Sequence, residues 1–109
     1  MLAKKNRITQ KNEFDLLYKK GSSLKFEYLK ISFLPNQLAH NRLAVVISKK
    51  VSAKANQRNY LKRKLKSLFF NNLNNKGLFY DILITGFKNI EKLKNLDILT
   101  IVNTLNNKL

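Results

Sequence analysis

Cysteine is absent from the 109 residues of this chain. Disulfides and thiolate metal sites are therefore excluded, and no disulfide partner is expected. Glycine is scarce, with only Gly21, Gly77 and Gly86, so no Gly-rich phosphate loop exists. The one histidine, His40, falls in a polar loop context and receives no role. Acids are few and scattered: Glu13, Asp15, Glu27, Asp81, Glu91 and Asp97. Glu13 and Asp15 sit i and i+2 on a helix and do not share a face. Asp81 reads as isolated on a strand, and Glu91 and Asp97 flank a turn region. Hydrolysis with a protein-held Mg²⁺ wants convergent carboxylates, and none are evident. The polypeptide alone reads as non-catalytic. Long apolar runs are missing too. Met1–Lys5 lacks the apolar stretch of a signal peptide, and Leu43–Ile47 is far too short to span a bilayer. A cytoplasmic protein with no membrane partner is expected.

Positive charge is abundant instead. Lys and Arg number 22 against 6 Asp and Glu, a formal charge of +16. That imbalance costs self-repulsion in the compact state and points to a polyanionic partner, nucleic acid first. Apolar residues make up 44%, enough for a folded domain rather than a disordered basic tail. Residues 1–109 are expected to form one domain, with residues 1–7 as a basic N-terminal arm.

Along the chain, Thr9 or Asn12 can cap a helix running to about Lys20, with Gly21 placed to end it. Phe14, Leu17 and Tyr18 share one side of it; they read first as core, and alternatively as a groove on which bases stack. From Leu24 to Leu34 the pattern alternates. Leu29, Ile31 and Phe33 point one way, and Phe26, Tyr28, Lys30 and Ser32 the other, the latter a mix of aromatics and a lysine suited to single strands. Pro35-Asn36-Gln37 is expected to break the strand. Arg42–Ser48 is almost continuously apolar and reads as a central strand covered on both faces, followed at once by Lys49 and Lys50.

A long helix follows, capped by Ser52 or Asn56 and stopped by Lys76-Gly77. Leu61, Leu65, Leu68 and Phe69 form its apolar stripe. Arg58, Lys62 and Lys66 recur at i, i+4 and i+8, with Asn59 and Arg63 one residue further round. No acid lies between Glu27 and Asp81, so this face has no local counter-charge and suits phosphates. If six to ten phosphates are neutralised, log K falls with log salt at a slope of roughly −4 to −9. Leu78–Thr85 is the last strand, ended by Gly86. Ile98, Ile101, Val102 and Leu105 mark a terminal helix capped by Asp97 or Asn95. The elements suggest an α+β fold with helices mainly on one face of a sheet, and a crossover around the basic helix that is normally right-handed.

Ser48-Lys49-Lys50 followed by Arg58-Asn59-x-x-Lys62-Arg63 resembles the signature of the bacterial ribonuclease P protein family, whose usual pattern is S-K-K then R-N-R-x-K-R-x-x-R. Arg7-Ile8, Asn12-x-Phe14, Gly21, Arg42-Leu43 and Asp81 match in order along nearly the whole chain. Tyr60 replaces the second arginine of the pattern and Lys66 the last, and Ala44 stands where glycine is common. Tyr60 cannot make a bidentate phosphate contact.

The resemblance implies a two-layer α–β sandwich of the ribosomal-protein type, order αβββαβα, with a left-handed βαβ crossover. It implies docking on a catalytic RNA subunit through Lys49, Lys50, Arg58, Asn59, Lys62, Arg63 and Lys66. It also implies a cleft for the 5′ leader of precursor tRNA, with Phe14, Tyr18, Tyr28 and Lys30 as candidates. The activity implied is endonucleolytic tRNA 5′ maturation by the ribonucleoprotein, with Mg²⁺ bound mainly by the RNA. Two other readings compete: a non-enzymatic structural RNA-binding protein of ribosomal type, which basic amphipathicity alone would also serve, and, more distantly, a freestanding nuclease.

Overall fold

A computed structural model describes residues 3–74 and 77–109. The elements are α1 (Lys11–Lys20), β1 (Ser22–Lys25), β2 (Leu29–Asn36), β3 (Arg42–Val46), α2 (Ala55–Asn72), β4 (Phe79–Gly86) and α3 (Asn95–Asn106). Short 3₁₀ turns occur at Lys4–Asn6 and Ile90–Lys92. The α+β class and the order αβββαβα are as expected. Among the described residues no helix is long and apolar enough to cross a membrane.

The sheet order is β1-β2-β4-β3, antiparallel except for the parallel pair β3–β4, which α2 connects. Cross-strand register aligns Phe33, Ile82 and Leu43, and next to them Ile31, Ile84 and Val45, all on one face. Leu61, Leu65 and Phe69 of α2 and Ile98, Ile101, Val102 and Leu105 of α3 close over that face as the main core. α1 packs on the other face, where Leu17 and Ile8 meet Ala44 and Leu83, with Phe14 and Leu34 half-buried beside them. Two helices thus share one face and the third takes the opposite one.

Several local expectations are corrected. The stretch Leu24–Leu34 is a hairpin, not one strand: the Phe26 N–H donates to the Leu29 carbonyl across a turn. Nothing in Phe26-Glu27-Tyr28 carries glycine or proline to announce it. Pro35 does not break β2; it pairs opposite Tyr80 where β1 has already ended, so its missing N–H costs that neighbour nothing. β3 is an edge strand, not a central one. Its apolar run reflects α2 covering one face and α1 the other, while the N-terminal segment covers its free edge through an Arg7–Leu43 bridge and an Ile8 N–H to Leu43 carbonyl bond of 3.4 Å.

Caps differ as well. α1 starts after Gln10 and α2 after Lys54, with no side-chain cap on either, so Thr9, Asn12 and Ser52 do not serve. Asn56 accepts only from the adjacent Gln57 N–H. At α3 the Asp97 carboxylate accepts the Lys94 N–H at 3.0 Å, capping from the third helical position. α2 ends at Asn72, where Asn106 of α3 donates to the Asn72 carbonyl at 2.9 Å. Of the expected stop, Gly77 has a left-handed φ of 99°, while Asn75 and Lys76 lie outside the described residues. Gly21 does end α1, yet in extended backbone: a Cβ there would sit 2.5 Å from the Leu17 carbonyl oxygen, so close approach requires the glycine.

Candidate nucleic-acid interface

The span Ala55–Asn72 contains no glycine, proline or β-branched residue, which favours one uninterrupted helix. Burial of Leu61, Leu65 and Phe69 fixes its rotation and turns Lys62, Arg63 and Lys66 outward. Burial, followed by the charges of Lys62 and then Arg7, pushes the Lys66 ammonium down from its ordinary range. Arg7 lines one groove with Arg63 and Lys66 and so stands beside the helix cations. The Arg7–Leu43 bridge and the bond from Asn6 Nδ2 to the Asn41 carbonyl, 2.8 Å, pin the arm there. A groove of about 560 Å³ lies between arm and helix, lined among others by Arg7, Arg63, Lys66 and Phe70.

The remaining candidates on this side divide. Arg58 is half-buried and donates through Nη1 to the Ser52 and Ala53 carbonyls at 2.8 and 3.0 Å. It holds the loop before α2 and does not stand fully in the cationic row. Asn59 and Tyr60 are exposed on α2, and Lys49 and Lys50 are exposed in the turn after β3.

On the α1 side, register sets Lys25, Lys30, Thr85 and Val46 in one row across all four strands. The next row, with Leu83 and Ala44, is the one Leu17 covers. Lys25 and Val46 remain exposed and Lys30 and Thr85 half-exposed, leaving a strip of sheet open beside α1. Tyr18 is 56% exposed, one turn beyond Phe14 on the same side of α1. Phe14 belongs half to the small core.

Tyr28 does not join them. It packs against the main core and lines a different cavity with Phe26, Leu93 and Asp97. A hydrogen bond to Glu27, together with the charges of Glu27 and Glu91, pushes its phenol up, and these acids repel phosphate. The hairpin turn is the reason: it resets the alternation that had placed Tyr28 with Lys30.

One arrangement was not visible in the sequence. Asp81 is not isolated: Arg42 donates Nε and Nη2 to its two oxygens at 2.8 and 2.6 Å, and Asn36 adds a third bond at 2.9 Å. Arg42 also pairs with Glu13 of α1. These acids hold the guanidinium firmly protonated, Asp81 most of all. The network ties α1 to β3, β4 and β2, and so sets where the helix stands above the open strip.

Comparison with known proteins agrees with this architecture. The family model for ribonuclease P matches residues 2–109. The ribonuclease P protein component of Thermotoga maritima is 33% identical over 110 residues, covering 97% of this chain and 91% of that one. The protein component from Legionella pneumophila strain Lens is 34% identical over 100 residues, covering 92% and 85%. Among solved structures, the RNase P protein of Thermotoga maritima superposes with a TM-score of 0.77 at 26% identity, over 94% of this chain and 96% of that one. The Staphylococcus aureus RNase P protein shares the fold, with a TM-score of 0.77 at 24% identity over 94% of each chain. With a match across nearly its full length and a superposable αβββαβα fold, the chain belongs to the ribonuclease P protein family.

Proposed function

We propose that this chain is the protein subunit of a ribonuclease P ribonucleoprotein. It docks on the catalytic RNA through Arg7, Lys62, Arg63 and Lys66, with Lys49, Lys50 and Asn59 as flanking contacts. It receives the 5′ leader of precursor tRNA on the strip beside α1, through Tyr18 and Lys30, and so assists endonucleolytic release of the mature 5′ end. The observation that carries this reading is the gathering of Arg7, Arg63 and Lys66 around one groove between the N-terminal arm and α2. Like charges brought together in a half-buried site need an anion, and the helix face supplies none.

The chain's own donors do not suit a Mg²⁺ ion. The acids that converge, Glu13 and Asp81, both pair with Arg42. No group of three His, Cys, Asp or Glu gathers among the described residues. On this reading the Mg²⁺ of the holoenzyme would be held by the RNA partner.

Two substitutions test the two surfaces. Arg63→Ala is expected to weaken binding to the catalytic RNA and to reduce the slope of log K against log salt by about one; an unchanged slope would mean that this face does not meet phosphate. Tyr18→Ala is expected to cost the assembled enzyme about tenfold in affinity for precursor tRNA and little for mature tRNA, the size of one lost base-stacking contact. Equal losses for both would remove Tyr18 from the leader site.

A further inference from the structure

The groove between the N-terminal arm and α2 is larger and more varied in chemistry than backbone docking needs. A phosphate backbone requires only exposed cations, as Lys49 and Lys50 already provide. Here the open groove offers about 560 Å³, within the range of small-ligand clefts. Arg7, Arg63 and Lys66 supply charge, Phe70 an aromatic surface, and Ser67 and Asn71 a hydroxyl and an amide at the rim.

Both walls are anchored. Asn6 holds the Asn41 carbonyl and Ile8 the Leu43 carbonyl on one side, and buried Leu65 and Phe69 fix α2 on the other. A site preformed in this way loses little entropy on binding. The half-buried Lys66 ammonium, disfavoured by burial and by Lys62 and Arg7, is relieved by an anion placed among them.

We propose that this groove holds one unpaired nucleotide of the RNA partner, its phosphate on Arg7, Arg63 and Lys66 and its base against Phe70. The proposal rests on the RNA-docking reading above and adds a base-stacking subsite to it. Stacking on an aromatic ring tolerates any base, while a rim hydroxyl and amide can hydrogen-bond a base edge. A duplex cannot fill the groove this way, because its bases are already stacked. The occupant must therefore be a bulged, looped or terminal nucleotide.

The test uses the full chain and the catalytic RNA of ribonuclease P. Phe70→Leu keeps an apolar group against the core, and is expected to bind the RNA about tenfold more weakly with the salt slope unchanged. Phe70→Tyr, which keeps the ring, is expected to bind as the parent does. Ultraviolet cross-linking of the parent complex is expected to join the peptide containing Phe70 to one nucleotide that chemical probing finds unpaired. If thermal melting shows that Phe70→Leu is poorly folded, the tyrosine variant and the cross-link decide.

Parent-like RNA binding by a folded Phe70→Leu, or a cross-link only to paired nucleotides, overturns the proposal. In either case a weakened Arg63→Ala would leave the docking reading standing, whereas unaffected binding by both variants would sink the two together. Titration with adenosine or uridine 5′-monophosphate distinguishes the source of the nucleotide. Saturating amide shifts at Arg7 and Phe70 at micromolar concentration would assign the groove to a free nucleotide and overturn its assignment to RNA.

Discussion

Replacing Phe69 with alanine is expected to remove about 4 kcal/mol of stability, the upper range for a large side chain taken from a core. Phe69 is fully buried and stands with Leu61 and Leu65 as the α2 side of the main core. The ring faces strands and α3 together, so no single neighbour can swing in to fill the space. Small domains hold only about 5–15 kcal/mol in total, and the melting temperature should fall by roughly 20 °C. Phe69→Leu should lose much less, because most of the volume remains. A thermal melt followed by circular dichroism measures both. A loss under about 1 kcal/mol for alanine would mean that α2 is not seated on this face of the sheet, and that the rotation presenting Lys62, Arg63 and Lys66 is wrong. Arg63→Ala, an exposed change on the same helix, should leave the melt within about 0.5 kcal/mol of the parent.

Arg42→Ala is expected to cost about 3 kcal/mol. The side chains of Asp81 and Glu13 are only 12% and 22% exposed, and losing the guanidinium strands both carboxylates. Removing one partner of such a group costs far more than the pair itself contributes, because an uncompensated charge remains. Asn36 still donates to Asp81 and softens the loss. Arg42→Lys should recover only part of it, since one ammonium cannot fork to Asp81 and reach Glu13 as well. A double substitution, Arg42→Ala with Asp81→Ala, should be less destabilising than the sum of the two singles. Additivity within error would show that the pair does not form. Because Glu13 belongs to α1, the assembled enzyme carrying Arg42→Ala should also discriminate less between precursor and mature tRNA.

Periodic, local features of this molecule were legible in the sequence, and long-range pairings were not. The stripe Leu61, Leu65, Leu68 and Phe69 placed α2 and its outward cations, because a helix repeats over four residues whatever surrounds it. Leu29, Ile31 and Phe33 likewise predicted one strand face correctly. Alternation alone sets Tyr28 with Lys30, and it fails there because the hairpin turn at Phe26–Tyr28 has no glycine or proline to mark it. The apolar run Leu43–Ile47 signals coverage on two faces, which an edge strand also receives when helices pack on both sides of the sheet, here α2 and α1. The Glu13–Arg42–Asp81–Asn36 network joins four elements. Arg7 and Phe70 meet across a groove formed by opposite parts of the chain. No spacing rule reports such meetings. The i, i+4 spacing groups Arg58 with the phosphate-facing row, yet at the first turn of α2 its guanidinium donates to the carbonyls of the preceding loop.

The most direct test is reconstitution with the catalytic RNA of ribonuclease P at low Mg²⁺, scoring removal of the 5′ leader from precursor tRNA. The protein is expected to stimulate cleavage under conditions where the RNA alone is nearly inactive, and Arg63→Ala to require more protein for the same effect. Saturating, folded protein that gives no stimulation would contradict the assignment and leave a basic RNA-binding domain without this role.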